Sequence, residues 1–206
     1  MMKKGRRPQT KPRAISKSVP PGRRASSPSP KMPSQKALRQ IRLFATDVDG
    51  VLTDAGMYYA ESGDEWKKFN TRDGMGIKML QAQGIVTAII TMEQTNIVAR
   101  RAKKLNIQEV FQGITNKAEV LSALSLKYDI PFKEMAYIGD DVNDLPALQL
   151  VGLSFAPADC VKAVRLVAKY ICEKRGGEGA VREVAEIILS AHKTPKEHIL
   201  GSVFGS

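Results

Sequence analysis

The sequence predicts an α/β protein whose mostly parallel sheet carries helices on both faces. Three observations predict it. From Ile41 onward, short β-rich runs alternate with segments of helical spacing, the order that right-handed βαβ crossovers require. Val86-Thr87-Ala88-Ile89-Ile90 is a continuous apolar, β-branched run, typical of a strand covered on both faces. Acidic residues also collect where the strand-like runs end, and ligands of such sheets sit at the carboxyl ends of the strands.

The elements follow in order. Ile41–Thr46 reads as the first strand, running into Asp47-Val48-Asp49-Gly50. Met57–Ala60 and Glu65–Phe69 flank the polar turn Glu61–Asp64 and predict a small β-hairpin insertion. Gly74–Gln83 has helical spacing, with Gly84 as its stop. After the Val86–Ile90 strand come a helix over Gln94–Lys104, a short strand at Glu109–Phe111 and a helix over Lys117–Lys127. Met135–Gly139, Leu153–Ala156 and Tyr170–Cys172 are further strands, with helices expected over Asp144–Leu150, Val161–Val167 and Ala180–Ala191. No internal repeat is visible.

Charge separates the chain into parts. Of its 32 Lys and Arg, twelve fall within residues 1–40, where there is no Asp or Glu. The remaining 20 face all 21 acidic residues, so the net charge of +11 belongs to the N-terminus and the rest is near neutral. The expected organisation is a basic, Pro- and Ser-rich disordered tail over 1–38, one domain over 39–192 and a C-terminal tail over 193–206. A plain solvated extension is the favoured reading of the N-terminal tail. Organelle import and a salt-sensitive grip on RNA or anionic lipid are the alternatives. The longest apolar runs are too short for a membrane span, and Cys160 and Cys172 read as free thiols of a reducing, cytoplasmic compartment.

The topology gathers Asp47, Asp49, Thr91, Asp140, Asp141 and Asp144 at one sheet edge. Clustered carboxylates repel unless a cation neutralises them, and hard oxygen ligands with few imidazoles favour Mg²⁺. His192 and His198 lie near the C-terminus and read as surface residues. Carboxylates with Mg²⁺ suit phosphoryl transfer. Asp47, with an ordinary carboxylate pKa, would be ionised and able to attack phosphorus, forming an aspartyl-phosphate. Asp49, two residues on, would give a proton to the leaving alkoxide and later take one from water. Gly50 would let the backbone approach the phosphate. Thr91 would donate to a phosphate oxygen, Lys117 would supply a compact positive charge, and Asp140, with Asp141 or Asp144, would hold the metal.

These residues resemble the four motifs of the haloacid dehalogenase phosphatase superfamily: Asp47–Asp54 first, Thr91 second, Lys117 third and Gly139–Asp144 fourth. The resemblance implies a Rossmann-like fold, with Mg²⁺ held by the Asp47 and Asp140 carboxylates and the Asp49 carbonyl. It extends over nearly all of 41–190 to the group of 3-deoxy-D-manno-octulosonate 8-phosphate phosphatases. The residues that carry it there are the hairpin, Phe69–Gly76 and Lys174–Glu183. Neither the stretch from Asp47 to Asp73 nor that from Thr91 to Lys117 has room for a cap domain. The capless members are homotetramers in which the hairpin and the Gly-rich segment (here Arg175–Gly179) of neighbours help close the site.

The resemblance also brings Arg72, Asp73, Asp144, Arg175 and Gly176 forward as substrate-binding candidates. Glu93 and Lys104 are more similar to phosphatases of nine-carbon 2-keto-3-deoxy sugar acids, so a nonulosonate 9-phosphate is expected slightly ahead of the octulosonate 8-phosphate. Met92 stands where both groups have Gly. A non-catalytic oligomerisation domain is the competing reading, and nucleic-acid binding has only the tail in its favour.

Overall fold

A computed structural model describes residues 32–192. Six strands form one all-parallel sheet: β1 (Leu43–Thr46), β4 (Val86–Ile90), β5 (Glu109–Phe111), β6 (Met135–Ile138), β7 (Leu153–Ala156) and β8 (Tyr170–Ile171), in the order β5-β4-β1-β6-β7-β8. The order reverses at β1, which pairs with β4 on one side and β6 on the other. Such a reversal opens a crevice at the strand ends, and Asp47, Thr91 and Asp140 follow those three strands.

Side chains on successive strand residues point to opposite faces, so the sheet builds two cores. Phe44, Ile89, Ala136 and Ile138 face one core, completed by α1 (Gln35–Arg39), α2 (Thr71–Ala82), α3 (Asn96–Lys104) and α7 (Ala180–Leu189). Leu43, Ala45, Ala88, Ile90 and Met135 face the other, with α4 (Lys117–Tyr128), α5 (Leu145–Leu150) and α6 (Lys162–Arg165). The helices therefore cover both faces, as the alternating pattern predicts.

A separate two-stranded ribbon, β2 (Tyr58–Tyr59) and β3 (Glu65–Trp66), is the expected hairpin, with β2 one residue shorter at each end and β3 ending three residues earlier than the expected strands. Among the described residues there is no cap domain between β1 and α2 or between β4 and α4.

Most element boundaries shift by one to three residues from the sequence expectation, and three differences have a clear physical cause. Helix α2 starts at Thr71 rather than Gly74, because the Asn70 side chain accepts from the Arg72 amide and caps the first turn. A 3-10 turn over Val142–Asp144 precedes α5, closed by a capping box between Asp141 and Asp144. Helix α1 begins inside the stretch expected to be tail and crosses its boundary at residue 38: Leu38 is fully buried against α7, and the Arg39 guanidinium donates to the Ala191 carbonyl. Short-range composition hides this helix, because its single core residue sits in a basic setting. The rest of the expected tail, residues 1–31, and the C-terminal tail lie outside the described residues.

Candidate active site

The first strand delivers Asp47 to the floor of a cleft of about 340 Å³. Its lining comprises Asp47, Asp49, Ala55, Met57, Thr91, Met92, Glu93 and Asp140–Asn143. The sheet register places Thr46 beside Ile89 and Ile138, which brings Thr91 and Asp140 to either side of Asp47. Gly50 turns the chain with φ +80°, and a Cβ there would lie 2.0 Å from an Asp140 carboxylate oxygen, so no other residue fits.

Lys117, at the first turn of α4, is buried between two carboxylates. Its Nζ lies 2.8 Å from Asp47 Oδ1 and 2.6 Å from Asp144 Oδ1. Burial disfavours its charge, but Asp47 and Asp144 outweigh that cost and raise its pKa above the ordinary lysine value. Asp144 is fully buried and saturated. It accepts from Lys117 and, at 2.6 Å, from the Tyr137 hydroxyl on one oxygen, and from the Asp140 and Asp141 amides on the other.

Burial, reinforced by repulsion from Asp144, pushes Asp47 up to about 7 despite Lys117. Burial and the neighbouring Asp47, Asp144 and Asp141 push Asp140 up to about 8. The sequence expectation of an ordinary Asp47 therefore needs correction. This pocket favours an ionised Asp47 only when further positive charge is present.

The residues fit a divalent cation. Carboxylate oxygens of Asp47, Asp140 and Asp144 lie within 4.8 Å of one another, and Asp140 Oδ1 is buried with no hydrogen-bond partner. Both Asp144 oxygens are already taken, so of these three carboxylates Asp47 and Asp140 are the ones open to a metal, with Asp144 behind them.

One wall comes from the hairpin. Lys67, just past β3, buries its side chain completely, with Nζ 2.6 Å from Asp49 Oδ1, 3.2 Å from Glu93 Oε2 and 3.7 Å from Glu65 Oε1. Sequence reasoning missed this residue. The available signal was the two-residue alternation, which turns Lys67 inward between the exposed Trp66 and Lys68.

The other candidates separate cleanly. Gly176 approaches the first-motif loop so closely that a Cβ would lie 1.9 Å from the Gly50 carbonyl oxygen, and the Gly177 amide donates to Val51. Arg175 pairs with Asp159 and does not line the cleft.

Four further substrate-binding candidates also lie outside the cleft of the described chain. Asp144 is walled off beneath Lys117. Asp73 is fully buried, accepting from the Arg182 amide at 2.8 Å at the start of α7. Arg72 is exposed and lines a separate surface hollow beside Glu178 and Arg182. Lys104 is exposed at the C-terminal end of α3, while the cleft lies at the end capped by Thr95.

A cleft with a buried Asp-Lys-Asp floor, a second Asp two residues after the first, and an Asp with a partnerless oxygen after the neighbouring parallel strand has the make-up of a phosphotransferring α/β hydrolase. The chain belongs to the haloacid dehalogenase-like hydrolase family, whose model matches residues 80–184, and it is a phosphatase. It is 42% identical over 151 residues to the 3-deoxy-D-manno-octulosonate 8-phosphate phosphatase KdsC of Escherichia coli, spanning 73% of this chain and 80% of that one. The Moraxella catarrhalis octulosonate phosphatase, solved with magnesium, phosphate and KDO, is similar at 42% identity and a TM-score of 0.75, covering 76% of this chain and 90% of that one. The cobalt-bound Haemophilus influenzae enzyme matches at 36% identity and a TM-score of 0.75, covering 80% and 99%.

Proposed function

We propose that this phosphatase releases phosphate from 3-deoxy-D-manno-octulosonate 8-phosphate, with Mg²⁺ as its cation. The observation that carries the reading is the pairing of the intact Asp47-Lys117-Asp144 floor with 42% identity to octulosonate 8-phosphate phosphatases. It also reverses the order expected from the sequence. The nine-carbon reading rested on Glu93 and Lys104 acting together. Lys104 lies away from the cleft, and Glu93 is already held by Lys67. Glu93 does line the cleft, so a nonulosonate 9-phosphate stays as the second substrate to test.

In this reading Asp47 attacks phosphorus and forms an aspartyl-phosphate, while Asp49 gives a proton to the departing alkoxide. Water then attacks the aspartyl-phosphate as Asp49 takes its proton. Lys117 holds Asp47 in line, and Thr91 donates to a phosphate oxygen. Magnesium, held by Asp47, Asp140 and the Asp49 carbonyl, would neutralise charge on the phosphate.

The exposed Tyr59 and Trp66 of the hairpin would be covered in a homotetramer. Sedimentation velocity returning a monomer would remove that part of the reading. The enzyme would act in the cytoplasm on a soluble substrate, and no helix among the described residues is long and apolar enough to cross a membrane.

The deciding experiment measures phosphate release, with and without Mg²⁺, from the octulosonate 8-phosphate, two nonulosonate 9-phosphates and hexose phosphates. The expected outcome is Mg²⁺-dependent turnover with the eight-carbon acid preferred. A nine-carbon preference would restore the role of Glu93. Absence of turnover on every substrate would point to Met92 and to a non-catalytic domain.

A further inference from the structure

The Lys67 side chain has no solvent-exposed surface, yet it stands among three carboxylates and belongs to a ribbon outside the main sheet. Burying a lysine is costly unless its charge is matched. Here Asp49 and Glu93 outweigh the cost of burial and keep the ammonium charged. A lysine needed only to pin the hairpin would not have to reach this far. Lys68 already does that, pairing at the surface with Asp54 at 3.1 Å.

The contacts of Asp49 are asymmetric. Lys67 Nζ takes Oδ1 at 2.6 Å, and the Thr53 hydroxyl lies 3.4 Å from the same oxygen. Oδ2 is buried and has no partner. The lysine thereby fixes the rotation of the carboxyl group and leaves one oxygen free for chemistry. The same ammonium also holds Glu93, which lines the cleft beside Met92 and Met57 where a leaving group would sit.

We propose that Lys67 is a positioning residue that ties Asp49 to Glu93, so that the fit of a hydroxyl-bearing leaving group at Glu93 governs proton delivery by Asp49 Oδ2. In the step concerned the ester oxygen–phosphorus bond breaks and the Asp47 oxygen–phosphorus bond forms. The proton moves from Asp49 to the departing alkoxide. The substrate class is an alkyl phosphate of a polyol. An aryl phosphate with an acidic phenol leaves without protonation and has no hydroxyls for Glu93. The proposal rests on Asp49 as the proton donor in the function proposed above.

The test compares full-length wild type, Lys67→Met, Lys67→Arg and Glu93→Gln on 4-nitrophenyl phosphate and on the best alkyl phosphate of the substrate panel, with Mg²⁺ present. Lys67→Met should lower the single-turnover rate of alcohol release from the alkyl phosphate about 100-fold, the size of a general-acid contribution, and slow the corresponding release of phenolate far less, because that step precedes the attack of water in which Asp49 serves both substrates. Lys67→Arg should recover at least about tenfold of the loss by restoring a cation to Asp49. Glu93→Gln keeps the Lys67–Asp49 contact and should lower the alkyl-to-aryl ratio about fivefold, with the alkyl KM raised.

Equal losses on both substrates would reduce Lys67 to a support for the hairpin and overturn the proposal. An unchanged alkyl rate in Lys67→Met would do the same. If Lys67→Met fails to fold, an unchanged ratio in Glu93→Gln overturns the proposal instead. A best alkyl substrate other than a sugar acid phosphate would sink only the substrate assignment, because the alkyl–aryl contrast is still read.

Discussion

Asp144 and Asp73 are both fully buried carboxylates beside the start of a helix, and they do opposite things. Asp144 meets two backbone amides, a phenol and an ammonium, and through Lys117 it is tied to Asp47, the proposed nucleophile. Asp73 meets only the backbone of the Gly179–Arg182 turn, and one of its oxygens is buried without a partner. Burial therefore pushes Asp73 up to about 6 with no side-chain cation in hydrogen-bond contact. Burial alone does not make a carboxylate part of a site. What distinguishes the two is a charged partner that also touches a cleft carboxylate, Asp47, the proposed nucleophile.

The largest expected effect lies above Asp144, at the nucleophile. Asp47→Asn should abolish turnover, by more than about 1,000-fold, while circular dichroism and thermal melting show an intact fold. Wild-type rates in that variant would remove Asp47 as nucleophile and the chemical meaning of the whole floor. Asp144→Asn comes next. It leaves Lys117 with one carboxylate instead of two and turns a donor-bearing amide towards the Asp140 amide or the Tyr137 hydroxyl. A loss of about 3 kcal/mol in stability, the scale for breaking a buried pair, should accompany a kcat drop of about 100-fold. Denaturant melts and steady-state rates read the two together. Loss of stability with unchanged kcat would make Asp144 as purely structural as Asp73.

The sequence exposes these two residues unequally. Asp144 stands in Gly139-Asp140-Asp141-Val142-Asn143-Asp144 after a β-rich run, so its location at the strand ends was legible from element order alone. Its role was not, because saturation by Tyr137 and Lys117 depends on register between β6 and α4. Asp73 looked functional because it follows the hairpin within a stretch typical of octulosonate phosphatases. Its partner Arg182 is 109 residues away, a distance over which local pattern carries no information. Lys67 failed to register for a related reason: its partners Asp49 and Glu93 come from the ends of two different strands. The six-strand sheet itself was legible, since each strand announces itself within a few residues.

Asp73 gives the smallest and most discriminating prediction. Asp73→Ala should cost about 1–3 kcal/mol in stability, the scale for unsatisfied buried amides, and leave kcat and KM within about twofold, as the helix start it holds lies outside the cleft. Its pH signature follows from the raised pKa. The unfolded chain has Asp73 near 3.8 and the folded chain near 6, so the folded state binds the proton more tightly. The contribution of Asp73 to stability is therefore fully present below pH 3.8 and is lost as pH rises through about 6. Measured against Asp73→Asn, which does not titrate, the wild-type advantage should shrink by roughly 2–3 kcal/mol across that window. Urea melts at intervals of half a pH unit check it. A flat difference would mean that the Gly179–Arg182 amides hold Asp73 ionised throughout. Backbone donors alone would then suffice for a buried carboxylate.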